Sequence, residues 1–303
     1  MTTYYPYLRG RMYDLLALKA LCEQGQLGAH VIPIIEPVRD SKELQRTVQA
    51  FIKAQQPFSL IANPQVSVYG LNPTKLHPLP DLRDLPFFHP AAILAADFSR
   101  DFVTASAGQR SLLIARNYRL LNAYRADPLL KQTTLVVRDE ARLHALAGNH
   151  GILLTDSLTT PDHVADYAQL ADEFFAPAYW HRPPVGFDGF GDYSLIGHRY
   201  FDKGMPSRAI ALHVIYVTAN GQLRIHHFVS TSNASMHGQK QKFFEALTQL
   251  IAWAPEHLTG LNRTPALEQL LAYAQASRFP GLGIVKKLSL MHHLQLMHRL
   301  LAL

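Results

Sequence analysis

Cysteine is all but missing from this chain. The single Cys22 leaves no internal disulfide and no thiolate metal cluster to be formed. Its place in an apolar helical pattern suits a small buried hydrophobe rather than a nucleophile. Long apolar runs are missing too: none reaches the roughly 18 residues of a membrane span. Met1-Thr2-Thr3 leads straight into an aromatic segment, without the basic stretch and apolar run of a secretory leader. These absences together predict a protein of the reducing cytosol, away from membranes. No G-x-G-x-x-G follows a strand-like run, which speaks against a dinucleotide fold, and no G-x-S-x-G elbow is present. No internal repeat or low-complexity segment stands out.

What is present is ordinary in amount and informative in order. The 303 residues are 48% hydrophobic and 17% charged, enough to bury a large core in one or two domains. The net charge of +6 permits an anionic partner, nucleic acid included. The basic residues are scattered, however, with no run and no single basic helix. The 16 histidines add charge below neutrality.

Seven short apolar runs recur between helix-like stretches: Tyr4–Gly10, His30–Val38, Pro57–Asn63, Ala91–Asp97, Ser111–Arg116, Thr133–Asp139 and Gly151–Asp156. Near-continuous apolar runs suit strands buried on both faces, as in parallel sheets. Tyr193–Ile196, inside a Gly- and Phe-rich segment, reads as an eighth. Eight strands alternating with helices predict a closed (β/α)8 TIM-like barrel rather than an open doubly wound sheet. Ser41 is placed to cap one helix, and Thr160-Pro161-Asp162 to open another. Residues 64–80, rich in Pro, Asn and Gly, read as a long loop of the kind that often serves function.

The tail departs from a plain barrel. Ala209–Val217 and Leu223–Ser230 alternate around Ala219-Asn220-Gly221, a strong hairpin signal. The predicted organisation is a single barrel-like domain over 1–303. An antiparallel hairpin is inserted at roughly 205–232, and a helical extension over 236–303 packs on the barrel. The last helix carries an apolar stripe of Leu288, Met291, Leu294, Met297 and Leu301.

In a barrel, the carboxyl ends of the strands share the face that holds active sites. They deliver Arg9, Glu36, Asn63, Asp97, Arg116, Asp139 and Asp156. Cations beside carboxylates hold an anion and move protons. On this reading Arg9, Asn63 and Arg116 bind ligand, and Glu36, Asp97 and Asp156 are catalytic. The competing reading is that such residues cap helices and hold loops, which suits Asp139 and Asp156 in particular. Asp192, Tyr193 and Ser194 follow glycines and form either a pocket wall or a strained turn.

Arg224 and His226 on the hairpin, and Lys286 at the start of the last helix, complete the ligand-binding candidates. His226 and His227 are strand neighbours and point to opposite faces, so they cannot serve one metal together. His213, on the partner strand, is placed to approach one of them. His292 and His293 lie about 100° apart around their helix. No ligand spacing for zinc occurs, and no motif names a cofactor.

Several blocks taken together carry a resemblance. They are Tyr5-Pro6-Tyr7-Leu8-Arg9-Gly10, Ile32–Val38, Gly186–Gly197, Leu223–Ser230 and Pro280–Leu294. As a set they are similar to the bacterial "beta family protein" group, in the branch of hypothetical proteins whose names carry an "sce" prefix. The resemblance implies no activity, cofactor or catalytic residue. It implies an accessory-genome protein, often encoded beside a second uncharacterised protein, with a role in bacterial conflict such as phage defence or toxin immunity. One stretch departs from the group: Thr231-Ser232-Asn233-Ala234-Ser235 stands where an acidic segment is expected.

Two functions follow as expectations. One is a barrel enzyme, a hydrolase or lyase, acting on a small anionic substrate that bears phosphate or resembles a nucleotide. The other is a non-catalytic component of a defence or immunity module, working through a protein or nucleic-acid partner.

Overall fold

The computed structural model describes residues 2–71, 77–95, 98–147, 151–178, 187–195, 197–201 and 207–303. The sequence predicts one domain; packing divides the chain into two compact units. The first is Met1–Asp156 with His181–His198, and the second is Ser157–Trp180 with Arg199–Leu303.

The first unit is built on a curled parallel sheet of nine strand segments. They are β1 (Thr3–Tyr4), β2 (Tyr7–Gly10), β3 (Ile34–Pro37), β4 (Phe58–Ile61), β5 (Phe88–Ile93), β6 (Leu112–Ala115), β7 (Thr134–Arg138), β8 (Gly151–Thr155) and β10 (Gly189–Asp192). Their order is β1-β10-β8-β7-β6-β5-β4-β3-β2, parallel throughout. Helices fill the connections: α1 (Met12–Glu23), α2 (Lys42–Ala54), α3 (Phe98–Ala105), α4 (Tyr118–Ala123) and α5 (Ala141–Ala147).

Strand period decides which residues meet. Alternate residues from every strand except β1 and β10 (Tyr7, Ile34, Ile61, Ala91, Leu112, Val136, Ile152 among them) form one buried cluster on the inner face. Their neighbours, Ala92, Leu113, Leu135 and Val137, pack outward against α3, α4 and α5. Ser41 caps α2 as expected, its hydroxyl accepting from the Leu44 N–H at 3.2 Å.

Three expectations shift. The N-terminal run is one crossing broken at Tyr5-Pro6, because proline has no N–H to give the ladder. The last strand lies at Gly189–Asp192, upstream of the expected Tyr193–Ile196. A Cβ on Gly191 would sit 2.0 Å from the Tyr5 carbonyl oxygen, and one on Gly189 2.7 Å from the Tyr5 ring. The glycines therefore admit β10 alongside the N-terminal crossing. The helix expected after Thr160 is a 3₁₀ segment, Val164–Gln169, with no proline at its first position.

The second unit holds an antiparallel sheet ordered β11-β12-β9, with β9 (Asp172–Ala176), β11 (Ala211–Val217) and β12 (Leu223–Val229). The hairpin is where the Asn-Gly signal puts it; β9 is an addition the sequence did not announce. Three helices follow: α6 (Gln239–His257), α7 (Pro265–Gln275) and α8 (Leu282–Leu301). Thr264 caps α7, with proline at its first position. Among the described residues no helix is long and apolar enough to cross a membrane.

Candidate functional site

The strand ends of the first unit converge on Glu36. Arg9 on β2 and Glu36 on β3 are direct register partners. Glu36 is fully buried and Arg9 almost so. The Glu36 carboxylate accepts from four donors. Its Oε2 takes the Tyr7 hydroxyl at 2.5 Å, the Arg116 Nη2 at 2.6 Å and the Arg9 Nη1. Its Oε1 takes the Gln65 backbone N–H at 2.9 Å, from the long loop after β4. A carboxylate so occupied is an ionised anchor for guanidinium groups.

Tyr7 lies between the two arginines. Its ring is 5.2 Å from the Arg9 guanidinium carbon and 5.7 Å from that of Arg116, within cation–π range. Burial pushes its phenol up to about 12, against the pull of Arg116 and Arg9. Burial lowers the Arg9 guanidinium from its usual value. Arg116 remains a quarter exposed, and its bonds within the described residues run through Nη2 alone.

Tyr193 packs on Tyr7, ring centroids 5.2 Å apart. Burial raises its phenol, while Arg116, Arg9 and Arg138 lower it and Asp156 raises it. Four strand-end charges thus act on one ring. Arg138, at the end of β7, also meets Glu140 at 3.5 Å.

Asp156, just past β8, accepts from the His198 backbone N–H at 3.2 Å and pairs with its ring Nδ1. The His198 carbonyl accepts from Arg9 Nη2 at 2.7 Å. One residue thereby joins an Asp–His dyad to the arginine cluster. A carboxylate on Nδ1 leaves Nε2 as the working nitrogen.

Asp192 at the end of β10 is buried, accepting from the Tyr4 hydroxyl at 2.8 Å and the Ser194 N–H at 2.7 Å. Burial pushes its carboxyl up to about 6. Ser194 has φ of 52°, so the segment is a tight turn held by Asp192.

The other candidates lie elsewhere. The Asn63 amide brackets Ile93, donating to its carbonyl at 2.8 Å and accepting from its N–H at 2.7 Å. This ties the end of β4 to β5. Asp139 meets His144 at 3.1 Å on α5. Asp97 lies outside the described residues. Arg224, His226 and Lys286 belong to the second unit. Arg224 and His226 both bind Asp172, His226 through Nδ1 at 3.0 Å, and Tyr216 donates to it at 2.9 Å. His227 faces the opposite side, as strand geometry requires, and meets His213 and Glu173. Lys286 is exposed on α8.

Sequence reading missed Tyr7, Arg138 and His198. Tyr7 was detectable, being two residues before Arg9 on the same face of one strand. Arg138 ends its strand one residue before Asp139. His198 has no pattern around it; only the fold brings it to Asp156. Comparison with family models, with characterised proteins and with solved structures finds no match to this chain.

Proposed function

We propose that the first unit carries an enzyme site for a small phosphate-bearing anion. The observation that carries this reading is the double attachment of His198: its ring to Asp156, its carbonyl to Arg9. Arg116 and Arg138 present positive charge at the rim, and Arg9 sits beneath them. Glu36 is fully engaged in holding guanidinium groups and takes no part in proton transfer. His198 takes the proton at Nε2, its Nδ1–H held by Asp156, which fixes the tautomer. The reaction class is transfer or hydrolysis of a phosphoryl or related ester, with the arginines neutralising charge as it develops.

A closed (β/α)8 architecture accompanies this reading. Tyr4 pairs with Phe190 of β10 on one side and bridges Val31 on the other. Its N–H donates to the His30 carbonyl and its carbonyl accepts from Ile32. On this reading β1 and β2 act as one strand joining both edges of the sheet, and the arginine cluster lies at the carboxyl-end mouth, the usual active-site face of such barrels.

The test is a panel of phosphomonoesters, phosphodiesters and nucleotides assayed with the full chain. His198→Ala should lower kcat about 10²- to 10⁴-fold, while Arg116→Ala should raise KM. A ligand bound in the panel but never turned over would favour the non-catalytic binding role. Unchanged turnover in His198→Ala would remove the proton-transfer assignment.

A further inference from the structure

The second unit buries three imidazoles, His227, His292 and His293, each at most 2% exposed, and holds a fourth, His213, half-buried beside them. Two of them face each other. His213 on β11 and His227 on β12 are register partners, with their Nδ1 atoms 2.6 Å apart. His227 Nε2 lies 2.9 Å from the Glu173 carboxylate on β9. The carboxylate requires a proton on that nitrogen. His227 Nδ1 is then bare in the neutral ring and accepts, so His213 Nδ1 carries the donated proton. One added proton can be absorbed by a change of tautomer in His213. A second cannot, because two N–H groups would then point at each other across 2.6 Å.

The surroundings offer little relief. Tyr167 packs on both rings, at 4.7 Å from His213 and 4.5 Å from His227. Lys286 of α8 adds positive charge against His213. His226 opposes a charge on His227, whereas Glu173 and Asp172 favour one. The balance lowers both rings, with burial the largest cause, and His213 falls to about 3. On α8, His292 is locked between the Thr264 hydroxyl and the Ile215 carbonyl, each at 2.7 Å.

We infer that the second unit is an acid-opened module: its antiparallel sheet is held by a histidine pair that must stay at least half neutral, and it opens as pH falls below the ordinary histidine range. The sign follows from linkage. The folded rings titrate below their unfolded value, so the unfolded form binds more protons as pH drops. Stability is whole above about pH 6.5 and declines from there down towards the folded value. The device does not depend on the function of the arginine cluster.

Hydrogen exchange of the full chain at pH 7.5, 6.5 and 5.0, corrected for intrinsic rates, tests it. Each histidine that must stay neutral raises the opening constant about tenfold per pH unit. Protection in β11 and β12 should therefore fall at least roughly fifteenfold between pH 6.5 and 5.0. Protection in β3 and β6 should change far less. Steady protection in β11 and β12, or an equal loss in both units, would overturn the inference. His213→Asn keeps an N–H near the Nδ1 position and does not titrate, so it should flatten the pH dependence. Should that variant fail to fold, ring signals of the unaltered protein decide: at least one of His213 and His227 neutral in the folded form at pH 5 supports the device. Both rings charging near pH 6.5 with the sheet intact refutes it.

Discussion

Glu36 in the first unit is buried, His213 in the second is half-buried, and they are stabilised by opposite means. Glu36 keeps its charge because two arginines, a tyrosine and a backbone N–H all point at it. His213 gives up its charge first to loss of solvation, and then because its partner is another imidazole with a lysine nearby. The difference follows from architecture. A parallel sheet gathers many strand ends at one rim, so donors from β2, the end of β6 and the long loop reach one carboxylate on β3. The three-stranded antiparallel sheet presents its faces to side chains packed flat against them, and a neutral ring fits there better than an ion. Lys242 is the second unit's exception: it is buried, its Nζ donating to the Arg208 carbonyl at 2.6 Å and to the Ser235 carbonyl.

The comparison can be broken first at its scaffold. Gly191→Ala places a Cβ against the Tyr5 carbonyl, and both partners are backbone. Loss of about 4 kcal/mol, or failure of the first unit to fold, is expected in urea unfolding, with β11 and β12 still protected from exchange. Next comes Glu36→Gln, which retains the shape but leaves the buried Arg9 without its countercharge. A cost of about 3 kcal/mol is expected in the same measurement.

A third variant concerns pH. The Asp192 carboxyl is raised by burial to about 6. Its contribution is present below the unfolded value near 4 and is lost as pH rises to about 6. That sign is opposite to the one set by His213. Asp192→Asn should remove roughly 2–3 kcal/mol of this dependence between pH 4 and 6, read as the difference between the two unfolding curves. The smallest effect belongs to Arg224→Ala. Its pairing with Asp172 is partly exposed, and about 0.5–1 kcal/mol is expected where truncation of buried Arg9 costs several-fold more.

Much of this contrast was legible in the sequence. The apolar runs marked seven strands to within a few residues, and the polar residues ending them included Arg9, Glu36 and Arg116. What was hidden depended on partners far away in the chain. β9 begins Asp172-Glu173, which lacks alternation. Those carboxylates become strand residues because Arg224, His226 and His227 await them on β12. Gly189 and Gly191 look like turn residues until Tyr5 is known to press against them. Asn63 stands at a strand end like the others, yet its amide is spent on the Ile93 backbone. His198 becomes meaningful only when the chain returns it to Asp156 and Arg9.

The most direct measurement is calorimetric titration of the full chain with phosphomonoesters and nucleotides, repeated with Arg116→Ala. Loss of a charged hydrogen bond predicts affinity weakened about 10- to 100-fold in the variant, with binding of the unaltered protein falling as salt rises. Absence of binding across the panel, or equal affinity in Arg116→Ala, would contradict an anion site built on the strand-end arginines.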